Sequence, residues 1–80
     1  MSKNVIVFGG SGFLGSHVAD NLSEHGYNVT LFDIKPSPHI RSDQTMIVGD
    51  ILDSDKVNNS LKNQNFIFHF AGLSDLEKGI

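Results

Sequence analysis

Gly9, Gly10, Gly12 and Gly15 fall within seven residues, directly after the apolar run Val5-Ile6-Val7-Phe8. A glycine-rich turn that leaves a buried strand and opens a helix can bring main-chain N–H groups up to an anion, because no Cβ blocks the approach and the first helical amides lack intrahelical acceptors. The positive end of the helix dipole adds to that preference. Gly10, Gly12 and Gly15 satisfy GxGxxG, Gly9, Gly12 and Gly15 satisfy GxxGxxG, and the spacing does not choose between them. Asp33 ends the run Val29-Thr30-Leu31-Phe32 and stands eighteen residues beyond Gly15. That is near the ~20 residues expected for a carboxylate that accepts hydrogen bonds from adenosine ribose hydroxyls. The plainer reading is a tight strand-to-helix turn with Asp33 closing a loop. The unbroken order strand, glycine loop, helix, strand, acid favours a dinucleotide pyrophosphate and its ribose instead.

Such groups work only where the chain holds them together. Val5–Phe8 is continuously apolar and β-branched, as expected of a central parallel strand covered on both faces. From Phe13 to His25, Leu14, Val18 and Leu22 recur every fourth residue with polar residues between them, which predicts an amphipathic helix buried along that stripe. Gly26 should end it in a left-handed conformation, with Tyr27 packing back on Leu22. A second strand over Asn28–Phe32 is followed by a stretch from Ile34 to Asp43 in which Pro36 and Pro38 predict loop, where an adenosine would sit. Thr45–Val48 reads as a third strand. Asp53 or Ser54 reads as the cap of a helix running to about Lys62, with a Leu52–Val57 staple if Asp53 is the cap. Phe66–Ala71 reads as the fourth strand, closed by Gly72.

The resulting β-α-β-β-α-β series predicts an α/β, Rossmann-like but partial parallel sheet of four strands. Right-handed crossovers give the order 3-2-1-4, with helices packed on the sheet. The crevice between strands one and four, outside their carboxyl ends, is the expected binding place. All 80 residues are expected to form one small domain.

A net charge of −3 with six scattered Lys and Arg residues argues against nucleic acid and anionic membrane as partners. Met1-Ser2-Lys3-Asn4 runs straight into a strand without signal-peptide features, and no stretch is long enough to span a bilayer. With no cysteine, neither disulfides nor thiolate metal sites can support the core, and cytoplasm is the expected compartment. HExxH and HxxxH are absent, so no metal site is expected. Asp50, Asp53 and Asp55 read as helix-start caps rather than a cation cluster. Gly15 is followed by Ser16 and His17 rather than Lys and a hydroxyl residue, which disfavours a nucleoside-triphosphatase loop. His69 reads as a packed histidine whose ring is satisfied by backbone, and His17 and His25 as solvated.

These residues resemble the extended short-chain dehydrogenase/reductase family, which includes NAD-dependent epimerases and dehydratases acting on nucleotide sugars. Gly9–His17 resembles its phosphate loop and Gly49-Asp50-Ile51 its adenine-contacting segment. His69-Phe70-Ala71-Gly72-Leu73 is similar to the fourth-strand end of UDP-galactose 4-epimerase-type enzymes. The resemblance implies that Gly9, Gly12 and Gly15 shape the pyrophosphate loop while Phe13 and Leu14 cover it. It further implies that Asp33 holds the ribose, Asp50 and Ile51 recognise the adenine edge, and Ala71 and Gly72 line the path to the nicotinamide ribose. A carboxylate at Asp33 repels a 2′-phosphate and so favours NAD over NADP, although Lys35 and Arg41 would partly offset it if the loop folded back.

The family's Tyr-x-x-x-Lys pair is missing, since Tyr27 is the single tyrosine and Leu31 stands four positions on. No residue is therefore assigned a catalytic role. The expectation is an N-terminal piece of a nucleotide-sugar epimerase or dehydratase that is silent by itself. The other reading is a non-catalytic dinucleotide sensor. An apolar fourth strand without a fifth to cover it also opens a route to homo-oligomers.

Overall fold

The computed structural model describes residues 3–38 and 40–70. In chain order the elements are β1 (Asn4–Phe8), α1 (Phe13–Glu24), β2 (Asn28–Asp33), β3 (Gln44–Val48), α2 (Ser54–Leu61) and β4 (Phe66–His69). The strands form one parallel sheet in the order β3-β2-β1-β4, as expected from right-handed crossovers. Val5 lies between Val29 and Phe66, and Phe8 between Phe32 and His69. The fourth strand's expected extension through Ala71 and Gly72 lies outside the described residues.

The unbroken apolar run of β1 follows from burial on both sides. Val5 and Val7 pack with Ala19, Val29 and Leu31 on the α1 face, joined by the half-buried Leu22, Tyr27, Met46 and Phe70. Ile6 and Phe8 pack with Phe32, Ile47, Val57 and Leu61 on the α2 face. Because side chains alternate along a strand, one sheet serves two helix layers.

α1 differs from its predicted stripe. Gly15, Ala19 and Ser23 are its buried residues, while Leu14 is 47% exposed. At Gly15 the cause is close approach, since a Cβ there would collide with the Gly9 carbonyl. The helix stops as predicted. Gly26 has φ +89°, its amide donates to the Ser23 carbonyl at 3.1 Å and that of Tyr27 to the Leu22 carbonyl at 3.1 Å, the paired bonds of a Schellman motif.

α2 is capped by Asp53, whose carboxylate accepts from the Lys56 amide at 3.2 Å, rather than by Ser54. The staple does not form: Leu52 is 86% exposed, while Val57 turns to Phe32 and its neighbours in the core. Four asparagines tie the amino edge of the sheet. The Asn4 amide donates to Asn65 Oδ1 at 2.8 Å, Asn4 Nδ2 to the Asn63 carbonyl at 2.8 Å, and Asn28 Nδ2 to Asn4 Oδ1 at 3.2 Å. Asn63 takes φ +66°, a conformation its short polar side chain tolerates. The opposite, carboxyl edge is left for the loops.

Candidate dinucleotide site

The four loop glycines answer to different constraints. Gly9 has φ +79°, where a side chain is strained. A Cβ on Gly10 would come within 2.8 Å of Leu31 Cβ, and one on Gly15 would strike the Gly9 carbonyl. A Cβ on Gly12 would meet only the Gly9 oxygen, at an ordinary 3.5 Å. Three glycines are thus required by the chain's own packing, and Gly12 is exposed with room to spare.

Gly12 is also the N-cap of α1, with no side chain to satisfy the amides of the first turn and no acidic residue within it. The first helical bond is Ser16 N–H to the Gly12 carbonyl at 2.9 Å, which leaves the amides of Phe13, Leu14 and Gly15 without intrahelical acceptors. Such a helix start suits an anion. Phe13 is 82% exposed beside it, its ring 4.7 Å from that of His17 in an edge contact.

Asp33 ends β2 next to this loop and is half-buried. Its Oδ2 accepts from the Ser11 amide at 3.0 Å and its Oδ1 from the Lys35 amide at 3.3 Å, while the Ser11 hydroxyl donates to the Lys35 carbonyl at 2.6 Å. Glycine loop and acid are therefore brought together. The Gly49 amide donates to the Asp33 carbonyl at 2.9 Å, which carries Asp50 and Ile51 to the same edge. Asp50 is exposed and its Oδ1 accepts from the Leu52 amide at 2.9 Å; Ile51 is exposed beside it. Ala71 and Gly72 lie outside the described residues.

Arg41 is engaged elsewhere. Its Nε and Nη2 donate to the two carboxylate oxygens of Asp43 at 3.0 and 3.3 Å, and Nη1 stands 3.6 Å from Glu24 at the far end of α1. The hydrogen bond from Arg41 holds the Asp43 carboxyl below the usual carboxylate range, and the same bond raises the guanidinium. Of the two cations considered for offsetting Asp33, this leaves Lys35. Gln44 fastens β3 to α1, its Nε2 donating to Asp20 Oδ1 and Ser23 Oγ, both at 3.0 Å. Ser11 and Gln44 carried no signal in the sequence, because Asp33 and Lys35 for the one, and Asp20 and Ser23 for the other, lie more than twenty residues away.

The histidines separate by place. His25 caps the end of α1 with Nδ1 2.7 Å from the Asn21 carbonyl. His17 is exposed. His69 is exposed rather than packed, its ring 5.8 Å from that of Phe8 because β4 lies at the sheet edge. Among the described residues no cluster of three or more His, Asp or Glu could hold a metal, and no helix is long and apolar enough to cross a membrane.

The model of the NAD-dependent epimerase/dehydratase family matches residues 5–79. A 3-beta-hydroxysteroid dehydrogenase from Mycolicibacterium neoaurum is 40% identical over 76 residues, covering 94% of this chain and 21% of its own. The UDP-glucose 4-epimerase of Thermotoga maritima, solved with UDP-glucose, is similar with a TM-score of 0.75 at 34% identity, over 85% of this chain and 24% of its own. The UDP-glucose 4-epimerase of Brucella ovis, solved in complex with NAD, has a TM-score of 0.73 at 32% identity, over 88% and 23%. The chain spans about a fifth to a quarter of the length of these relatives.

Proposed function

Because the chain belongs to the NAD-dependent epimerase/dehydratase family, we propose that it is the cofactor-binding portion of an enzyme acting on a nucleotide sugar, with NAD lying across the carboxyl edge of β1, β2 and β3. The carrying observation is the meeting at that edge of an uncapped helix start and a carboxylate oriented by two amides. The residues fit the cofactor: Gly12 leaves free the space a Cβ would take, and the first-turn amides offer donors to a pyrophosphate. Gly9 and Gly15 shape the loop while Phe13 and Leu14 cover the diphosphate. Asp33 accepts the ribose hydroxyls, Asp50 and Ile51 meet the adenine, and Ala71 and Gly72 line the way to the nicotinamide ribose.

Bound NAD supplies a hydride acceptor that can later return what it took. The chain's own residues hold and orient that group and exclude water from the diphosphate. They do not move the substrate proton, since the only tyrosine, Tyr27, closes the end of α1 and has no lysine four positions on. Proton transfer then falls to other residues of the enzyme, and these 80 alone turn nothing over. Preference for NAD over NADP follows from the Asp33 carboxylate and from an Arg41 tied to Asp43 and Glu24. A cysteine-free chain of this kind suits the cytoplasm.

The 40% identity to a hydroxysteroid dehydrogenase favours a second reading of the substrate, a sterol ring hydroxyl in place of a sugar hydroxyl. Both substrates need the same cofactor edge. Calorimetric titration tests it: NAD binds, NADP binds more weakly, and Asp33→Ala weakens NAD by about one to two orders of magnitude while narrowing the difference. Equal affinity for both cofactors in the unmutated chain defeats the role given to Asp33. Turnover of UDP-glucose against a 3β-hydroxysteroid by the enzyme separates the two substrate readings.

A further inference from the structure

We propose that Ser11 is a positioning residue for adenosine-ribose recognition, acting through Asp33; the inference rests on the dinucleotide reading above. Three hydrogen bonds join two segments distant in sequence. The Ser11 amide donates to Asp33 Oδ2, the Ser11 hydroxyl to the Lys35 carbonyl, and the Lys35 amide back to Asp33 Oδ1. Each carboxylate oxygen thereby holds one donor fixed on the protein and keeps acceptor capacity for an incoming hydroxyl. Rotating the carboxylate would break one of these bonds, so its orientation is set before a ligand arrives and less ordering remains to be done on binding.

The hydroxyl is the replaceable part of this arrangement. Any residue but proline would keep the amide bond at position 11. Only a side-chain donor there holds the Lys35 carbonyl, and Lys35 carries the second amide that steadies Asp33. At 2.6 Å Ser11 Oγ donates to that carbonyl, and its other neighbour is Met46 Sδ at 4.0 Å. A ribose 2′-hydroxyl can donate to the Asp33 carboxylate held in this way, whereas a 2′-phosphate brings only further acceptors and negative charge. Ser11 therefore supports discrimination between the two cofactors without being the charged residue itself.

A double-mutant cycle on the full chain, titrated with NAD and NADP, tests this. Ser11→Ala should weaken NAD roughly five-fold and shrink the NAD-to-NADP ratio. Ser11→Thr, which keeps the hydroxyl, should stay within about two-fold of the unmutated chain. In an Asp33→Ala background Ser11→Ala should change NAD affinity less than about two-fold, because its route of action is gone. An equal loss in both backgrounds overturns the proposal, as does no loss in either. In the ligand-free chain, hydrogen exchange at the Lys35 amide should quicken in Ser11→Ala, and unchanged exchange counts against it too. Should Ser11→Ala not fold, Ser11→Cys takes its place, since a thiol is a weak donor. Failure of the unmutated chain to bind NAD would sink the dinucleotide reading itself. NAD binding that needs Asp33 but ignores Ser11 would sink this inference alone.

Discussion

Two glycines three residues apart separate folding from binding. Gly15→Ala sets a methyl group against the Gly9 carbonyl and is expected to destabilise the fold by about 1–3 kcal/mol in denaturant titration. Gly12→Ala meets ordinary contact distances, so it should melt within a few degrees of the unmutated chain yet bind NAD more weakly. Equal melting points for the two variants would remove the distinction. Arg41 and Asp43 offer a pH test. The Asp43 pKa is lowered by the bond from Arg41, so the clasp is fully present above the ordinary carboxylate value and is lost as the pH falls through the depressed one. The Arg41 Nε–H resonance should follow that acid transition, and Asp43→Asn should abolish it. That the glycine turn and Asp33 lie together was legible in the sequence, because strand, glycines, helix, strand and acid follow in unbroken order. The reason for each glycine was not, since it depends on where Leu31 and the Gly9 carbonyl lie in space.

The helices show where periodicity informs and where it misleads. The end of α1 could be read from Gly26 and Tyr27 because a Schellman stop is local, needing six consecutive residues. The buried face of α1 could not. A four-residue recurrence of large apolar side chains marks Leu14, Val18 and Leu22, of which Leu22 packs on the core, while the buried residues are Gly15, set against the Gly9 carbonyl, Ala19, and Ser23, which meets Gln44. For α2 the cap held, since Asp53 reaches an amide three residues on, and the staple failed, since Val57 is drawn to the core around Phe32. Asp53→Ala should cost about 1 kcal/mol in stability, measured by urea unfolding, by removing the acceptor of the Lys56 amide. Leu52→Ala should be nearly silent, given its exposure.

At the scale of the whole chain, strand order was predictable from handedness alone, and the order β3-β2-β1-β4 gathers the glycine loop, Asp33 and Asp50 at one edge. Among the described residues that sheet has an apolar margin at β4, where Ile67 is 57% exposed between Phe66 and Phe68. Unpaired strand groups beside apolar side chains promote association, so the chain is expected to sediment with concentration-dependent mass, and Ile67→Lys to reduce it. Identical profiles for both would contradict that. The asparagine knot at the other margin has its own consequence, one of chemical ageing. Hydrolysis of the Asn4 carboxamide would exchange the donor held by the Asn63 carbonyl for a charged acceptor. Slow deamidation would then loosen the seam between β1 and β4 from the end remote from the glycine loop, so stored protein should lose cohesion there while the turn at the other end is still intact.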